Sequence, residues 1–340
     1  MNLKQLAKEL NLSISSVSKA LRDSHEISAT TKAKVLAKAK ELNYQVNPFA
    51  SSLRKQKSKT IAVIIPEIAN NFFGLAINGI ESIAQEKGYH VLIYLTHEDI
   101  QKELAITQIV QSGRVDGVLM SITNQTDHST HLDQLKDKQI PLVFFDRVSE
   151  NIDAPKVTTD DYNSSIKATE HLIKNGCKRI AFLSIYPNLS ITKKRMEGYL
   201  AALAKNDIQS TESLIVHCTN DEEKNSLLIK KLLTGKNKAD GIFASVEKLA
   251  IASYGVCEEL KLSIPKNVKI IGFSNLQTAA FLNPSLTTIT QPAFEIGREA
   301  ASILFKLIEK KGYDYIVEKT ILESVLIERN STVDRIKNVS

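Results

Sequence analysis

The chain has 340 residues and a formal net charge of +6, from 44 lysines and arginines against 38 acidic residues. No apolar run reaches the roughly 18 residues that a membrane span needs, and the first residues do not lead into a secretory hydrophobic segment. Three scattered cysteines without metal-ligand spacing indicate buried thiols in a reducing compartment, so we predict a cytoplasmic protein with no membrane association.

The N-terminal residues 1–45 carry three short amphipathic helical patterns. The first has Leu3, Leu6, Ala7 and Leu10 on one face, and the second, capped by Ser13, follows after a turn of two or three residues. Two helices joined by so short a turn form a helix-turn-helix. A third helix is predicted after the cap Ser28, with these residues on its buried face: Val35, Leu36, Ala39 and Leu42.

Positive charge is concentrated in this part of the chain. Residues 1–59 hold twelve lysines and arginines and four acidic residues, so the remainder is close to neutral. The outer face of the second helix carries small hydroxyls and long cations, which suit phosphates and base edges in a major groove: Ser15, Ser18, Lys19 and Arg22. The alternative is a plain three-helix bundle with a solvated charged face. The local charge favours a DNA-binding domain.

Residues 46–59 are predicted to be a linker segment. Pro48 suits a first helical turn, but the one or two turns that could follow are too short to be stable alone in water. We therefore expect this segment to order only against DNA or a second copy of the chain. Leu53 is a candidate wedge between base steps in the minor groove; the alternatives are packing against the head or simple exposure.

From Thr60 onward, short apolar strands alternate with helical stretches. Strands are predicted at 61–65, 91–95, 118–120, 142–145, 179–183, 214–216, 241–244 and 268–273. Such alternation is typical of parallel sheets with helices on both faces, and two runs of about four units suggest two similar lobes. A ligand of this fold binds at the carboxyl ends of the strands.

Several candidate ligand-binding residues follow those strands directly: Asn71, Phe72, Phe73, Asp146, Arg195, Ser274 and Asn275. The two aromatic rings could stack on a ring-shaped ligand, although core packing is an equal alternative, and Arg195 could instead form a surface ion pair. No phosphate loop, metal-binding histidine pair or nucleophile motif is present. We therefore predict no catalytic residues, no cofactor and no metal site.

The order of these motifs resembles the LacI/GalR (lactose-repressor) family of bacterial transcriptional regulators over about residues 2–332. The most specific match is the head, from Leu3 to Leu21, continued by Ile27-Ser28 and Leu42-Asn43-Tyr44. Further matches are Asn71-Phe72-Phe73, Arg114-Val115-Asp116-Gly117, Asp146-Arg147, Arg195-x-x-Gly198 and Leu286-Thr287-Thr288.

The resemblance implies a homodimer whose two heads read the half-sites of a near-palindromic operator in double-stranded DNA. Ile14, Ser15 and Lys19 match positions that read base edges, although Ile14 could simply pack. Matches to phosphate-contacting or positioning residues are Ser13, Ser16, Arg22, Ser28, Thr31 and Asn47. In the hinge, the DNA-contacting set also includes Ala50, Leu53 and Arg54, with Leu53 at the operator's central step, while Val46 replaces a common proline.

For the body, the resemblance implies a periplasmic-binding-protein-like fold with three crossovers, spanning residues 60–335. The N-lobe is expected at about 60–160 and 292–320, and the C-lobe at about 161–291 and 321–335. Effector positions carried over are Asn71, Phe72, Phe73, Asp146, Arg195, Val246, Ser274, Asn275 and Phe294.

Two departures bear on the effector. Val246-Glu247 replaces a common Asn-Asp, and Ser274-Asn275 replaces Asp-Asp or Asp-Asn, so acceptors that would grip sugar hydroxyls are lost. Arg195 could still anchor a carboxylate, phosphate or hydroxyl. We predict an allosteric DNA-binding regulator, a repressor, with a small sugar-like or sugar-derived effector. The alternatives are control by a protein co-regulator, a solute-binding protein and an intracellular sugar-processing enzyme.

Overall fold

The computed structural model describes residues 2–44, 58–126, 130–309 and 318–333. It divides into two compact units, residues 1–58 and 59–340. The hinge positions singled out in the sequence (Val46, Asn47, Ala50, Leu53 and Arg54) lie outside the described residues.

The first unit contains three helices: α1 (Leu3–Glu9), α2 (Ile14–Ala20) and α3 (Ala29–Glu41). The predicted caps are confirmed, because the Ser13 hydroxyl accepts from the Ser16 N–H and the Ser28 hydroxyl from the Thr31 N–H. The fully buried core of this unit comprises Leu6, Ala7, Val17, Ala20, Val35 and Ala39. The expectation that Leu36 is buried is wrong: its side chain is 54% exposed, because it lies one residue round the helix from Val35.

The second unit alternates strands and helices. Its strands are β1 (Thr60–Ile65), β2 (His90–Leu95), β3 (Val118–Met120), β4 (Leu142–Phe145), β5 (Lys156–Thr159), β6 (Ile180–Ser184), β7 (Ile215–His217), β8 (Gly241–Ala244), β9 (Lys269–Phe273), β10 (Thr287–Thr290), β11 (Lys319–Leu322) and β12 (Val325–Ile327). Its α-helices are α4 (Asn71–Glu86), α5 (Ile100–Val110), α6 (Thr130–Asp137), α7 (Asp161–Lys174), α8 (Ser190–Lys205), α9 (Glu222–Leu233), α10 (Glu247–Glu259) and α11 (Ala293–Glu309).

The strands form two six-stranded sheets within the described ranges, each the centre of one lobe. The first has the order β11-β5-β4-β3-β1-β2 and the second β12-β10-β9-β8-β6-β7. Neighbouring strands run parallel except β12, which pairs antiparallel with β10. This exception to the expected parallel pairing arises because the chain leaves the carboxyl end of β11 and enters the second sheet from its carboxyl edge.

The chain passes between the lobes three times: at Asp160, at Gln291-Pro292 and at Glu323-Ser324. The Asp160 carboxylate accepts from the Ser324 N–H at 2.8 Å and from the Ser164 hydroxyl at 2.7 Å, so it joins the first crossing to the third. The first sheet continues to Leu322, so the lobe boundary expected near residue 320 falls inside β11 and belongs two residues later.

Helices α4 and α11 pack closely against each other because each carries a glycine at the contact. A Cβ atom at Gly79 would lie 2.0 Å from the Phe294 carbonyl oxygen, and one at Gly297 would lie 2.0 Å from the Ala76 carbonyl oxygen. Any larger residue would push the helices apart. The apolar face they share with the sheet includes Phe73, Ile80, Ala300 and Leu304. In the described part of the chain, no helix is long and apolar enough to cross a membrane.

Candidate functional site

The outer face of α2 presents exposed polar side chains around an exposed apolar one. Ile14 is 45% exposed and Ser15 is also exposed, so Ile14 is not a core residue of this unit. Lys19 forms an ion pair with Glu26, and Arg22 donates from Nη2 to the Ser18 hydroxyl at 2.9 Å. These contacts are exposed to solvent, so DNA phosphates or base edges can replace them at little cost.

Serines and threonines at the starts of α2 and α3 are already used as caps. The hydroxyls of Ser13 and Ser16 lie 2.9 Å apart, and those of Ser28 and Thr31 lie 2.9 Å apart. Each cap leaves free N–H groups in the first turn of its helix, where an anion is favoured. This arrangement suits the phosphate-contacting or positioning role expected for these four residues.

The first wall of the interlobe cleft is the start of α4. Asn70 caps this helix through the Phe72 N–H at 2.9 Å, and both Phe72 and Phe73 are buried. Their rings pack edge to face with centroids 5.4 Å apart, and Phe73 also packs against Phe145. The two aromatic residues therefore belong to the core of the first lobe as well as lining the cleft.

Asp146 follows β4 directly and points into the cleft. Its backbone is left-handed, with a φ of 61°, a conformation that aspartate and asparagine tolerate better than most residues. Burial raises its pKa to about 6, and the nearby charges of Arg147 and Arg195 oppose this rise without cancelling it. Arg147 itself donates from Nη1 to Glu98 at 2.5 Å, so its positive charge is already matched.

Arg195 on α8 is buried, and each nitrogen of its guanidinium group has a protein partner. Its Nε and Nη2 atoms each lie 2.7 Å from Asp161 Oδ1, its Nη1 donates to the Ser245 carbonyl at 2.6 Å, and its guanidinium carbon lies 3.8 Å from the centre of the Phe273 ring. The alternative of a surface ion pair is therefore wrong. Its partner Asp161 was missed from the sequence, since it begins α7 after β5, a strand the apolar pattern did not predict.

Glu247 connects the two walls of the cleft. Its Oε1 accepts from Asn71 Nδ2 at 2.6 Å and its Oε2 from the Ser274 hydroxyl at 2.6 Å. Asn71 begins α4 in the first lobe, whereas Glu247 and Ser274 follow β8 and β9 in the second. The sequence marked the Val246-Glu247 pair as a departure, but only the structure shows that the Glu247 carboxylate occupies the cleft.

Two cavities meet at Glu247. The inner one has a volume of about 40 Å³, and an outer one of about 590 Å³ opens between the first lobe and helices α9 and α10. Seven expected effector residues line the inner cavity: Phe72, Phe73, Asp146, Arg195, Val246, Ser274 and Asn275. Asn71 does not line the inner cavity itself, but it donates a hydrogen bond to Glu247, which does. Phe294 lines neither cavity, because its turn of α11 packs on Gly79 of α4, so its effector contact stays a prediction.

Two polar atoms of residues lining the inner cavity are buried without a hydrogen-bond partner, Asn275 Oδ1 and Arg147 Nε. The amide nitrogen of Asn275 is used, because it donates to the Gln291 carbonyl at 2.7 Å. Buried polar atoms normally have partners, so these two are candidates for contacts with a bound molecule. Over the described ranges, no cluster of three or more histidine, cysteine, aspartate or glutamate side chains could hold a metal ion.

Comparison with known proteins places the chain among regulators. The family described as periplasmic binding proteins and the sugar-binding domain of the LacI family matches residues 58–329. The transcriptional regulator RegA of Clostridium acetobutylicum is 31% identical over 97% of this chain and 98% of its own length. The ribose operon repressor of Halalkalibacterium halodurans is 31% identical over 92% of each chain.

A solved structure gives the same picture. A LacI-family transcriptional regulator from Enterococcus faecium with bound ribose superimposes with a TM-score of 0.70 at 28% sequence identity. The match covers 80% of this chain and 98% of that one. The two-lobed architecture built around the cleft is thus shared with a ligand-bound regulator.

Proposed function

Because the chain belongs to the LacI family of transcriptional regulators, we propose that it represses transcription by binding a specific operator, under the control of a sugar-like effector in the interlobe cleft. Residues 1–45 are the DNA-binding domain, 46–59 the hinge, and 60–335 the effector-binding and dimerisation domain. The observation that carries this proposal is the combination of a basic, exposed α2 face with a cleft whose polar side chains converge from both lobes.

The DNA-binding role assigns base contacts to Ile14, Ser15 and Lys19. All three lie on the outer side of α2, and the remaining first-turn N–H groups of α2 and α3 are suited to bind phosphates, which supports this assignment. Two copies of the chain would read the two halves of a near-palindromic operator, with Leu53 of each hinge entering the central base step. The protein would act in the cytoplasm, where bacterial DNA lies.

The effector role rests on the cleft. Relatives include a ribose operon repressor and a regulator solved with ribose, which supports a small hydroxylated effector. A ligand that binds both walls favours one spacing of the lobes over another, and this preference is what couples the cleft to DNA affinity. A coupling free energy of about 1–3 kcal/mol, or 5–150-fold in affinity, is typical of such proteins.

The test begins with selection of an operator from random double-stranded DNA by the purified full-length protein. Lys19→Ala should weaken binding to that operator by about 1–3 kcal/mol, the usual value of a base contact, and relax the sequence preference at one position. Lys40→Ala, which removes the same charge near the end of α3, should cost less and leave the preference unchanged. Equal effects of the two variants would argue for contact through charge alone.

Titration of the operator complex with small molecules then tests the effector role. A change of several-fold in operator affinity identifies an effector and the sign of the response. Sequence-specific binding that no small molecule alters would favour control by a protein co-regulator. Absence of any sequence-specific binding would favour the solute-binding alternative and refute the regulator.

A further inference from the structure

We propose that the effector is a small polyhydroxylated amine, positively charged at neutral pH, whose ammonium group binds the Glu247 carboxylate. The inference rests on the proposed function in one respect, since it takes the interlobe cleft as the effector site. It names the charge class of the ligand, which neither the family nor the relatives fix.

The two arginines of the cleft are both paired with carboxylates of the protein and have no charge left for an anion. Arg195 is paired with Asp161 at 2.7 Å and Arg147 with Glu98 at 2.5 Å, each within the protein. A carboxylate or phosphate on the ligand would have to compete with these built-in partners, and displacing either would leave a buried charge uncompensated. The sequence-based expectation that Arg195 anchors an anion is therefore not supported by its contacts.

Once these two ion pairs are set aside, two carboxylates of the cleft remain without a cation of their own, Glu247 and Asp146. Glu247 has the neutral partners Asn71 and Ser274 and forms no ion pair within the described part of the chain. The oxygen of Asp146 lies 4.0 Å from the nearest arginine nitrogen, a long contact with a cation already paired elsewhere. The start of α10 supplies only about half a positive charge to Glu247. A cationic ligand would balance the negative charge that remains on Glu247 and Asp146.

The excess of negative charge continues from the inner cavity toward solvent. The outer cavity is lined by Glu67 and Glu222 as well as by Glu247, whereas Glu259, which also lines it, is ion-paired with Lys230. Of the cations beside it, Arg147 is paired, and Lys248 donates to Asn220 rather than to a carboxylate. The carboxylates at this cavity therefore outnumber the cations, and an excess of one sign of charge raises the local concentration of ligands of the opposite sign.

Two buried polar atoms of the cleft are suited to the hydroxyl groups of a ligand. Asn275 Oδ1 can accept a hydrogen bond from a ligand hydroxyl, and Arg147 Nε can donate one to a ligand oxygen; both atoms now lack partners. The inner cavity, at about 40 Å³, is too small for a sugar-sized molecule. Entry therefore requires the lobes to separate, which breaks the bond from Asn71 and frees Glu247 Oε1 for the ammonium group.

The experiment compares matched sugars that differ in one substituent, using the full-length protein and isothermal calorimetry. The sets are D-glucose, D-glucosamine and D-glucose 6-phosphate; the corresponding galactose and mannose compounds; and D-ribose, 5-amino-5-deoxy-D-ribose and D-ribose 5-phosphate. In the set that fits best, the amine should bind at least about tenfold more tightly than the neutral sugar, the typical effect of one charge-assisted hydrogen bond. The phosphate should bind most weakly.

Glu247→Gln isolates the residue responsible. Glutamine keeps the shape but removes the charge, so the preference for the amine over the neutral sugar should fall about tenfold, while the neutral sugar keeps its affinity within about threefold. Glu258→Gln, an exposed position on the same helix outside both cavities, is the matched control and should change neither value.

Three results would overturn the inference: a neutral sugar or a phosphate as the tightest ligand, no binding by any amine, or an unchanged preference in Glu247→Gln. The first two are measured on the unaltered protein, so they do not depend on how the variant folds. Operator binding without ligand is measured on the same preparations. Specific operator binding with no preference for amines refutes this inference alone, whereas loss of specific DNA binding refutes the proposed function.

Discussion

The α2 surface and the interlobe cleft both collect polar side chains, but the two regions use them differently. On α2 the polar groups are exposed, and their ion pair and hydrogen bonds are in contact with water. In the cleft, Arg195, Asp161 and Asp146 are buried, and the ion pair is part of the folded structure. Changes on α2 should therefore act on DNA binding with little effect on folding, whereas changes in the cleft should act on both.

The largest difference is expected between two arginines. Arg195→Ala removes the partner of Asp161, which is 2% exposed, and leaves an uncompensated buried charge. The expected loss in the free energy of unfolding is about 3–5 kcal/mol. Arg22→Ala, two residues after the end of α2, should change it by less than about 0.5 kcal/mol, as is usual for exposed positions. Urea denaturation of both variants measures this, and similar losses would erase the contrast between the two regions.

Asp146→Asn should have the next largest effect, and it should stabilise the protein. Burial raises the pKa of Asp146 from 3.8 to about 6, so between these values the folded protein binds more protons than the unfolded chain. Stability therefore falls as the pH rises through this window, and the loss reaches about 3 kcal/mol at pH 7. Asparagine cannot ionise and tolerates the left-handed backbone at this position.

The measurement is the free energy of unfolding of Asp146→Asn relative to the natural protein at pH 7 and at pH 4. The variant should be more stable by about 1–3 kcal/mol at the higher pH and nearly equal at the lower. Asp153→Asn, at an exposed position in the same lobe, is the control and should show no such dependence. A variant that is less stable at pH 7 would mean that the ionised carboxylate is well compensated in the fold.

The smallest effects separate two serines of the α2 region itself. Ser13→Ala removes the N-cap of α2 and should cost the N-terminal unit about 1 kcal/mol in stability. Ser15→Ala changes an exposed hydroxyl and should leave stability within about 0.5 kcal/mol while weakening operator binding. Thermal melting and operator titration of both variants test this. Equal melting temperatures for the two variants would show that the Ser13 cap does not stabilise the N-terminal unit.

Local patterns in the sequence predicted much of this fold. The helices of the first unit, their serine caps and eight of the strands follow from apolar spacing and capping residues alone. The missed strands are short, and some are polar, as in Lys156-Val157-Thr158-Thr159, where burial comes from neighbours far along the chain. Leu36 was misassigned because a stripe of four apolar residues is wider than the face that this small core covers.

The cleft was harder to predict, because its partners are distant in sequence. Residues that follow strands were recognised as lining it, since that rule depends only on local order. The pairing of Arg195 with Asp161 spans 34 positions and that of Asn71 with Glu247 spans 176. Neither pairing leaves a trace in local composition, and these pairings decide which charges remain available to a ligand.

The Asp160 carboxylate has a mechanical consequence for the whole second unit. It ties the first crossing between the lobes to the third, and the bond from Asn275 to the Gln291 carbonyl ties the second crossing to the wall of the cleft. Three connecting segments without bonds to one another would let the lobes bend, slide and twist independently. Connecting segments that are hydrogen-bonded to one another and to the cleft wall allow fewer independent movements. A ligand that changed the spacing of the lobes would therefore have to move the first and third connections together.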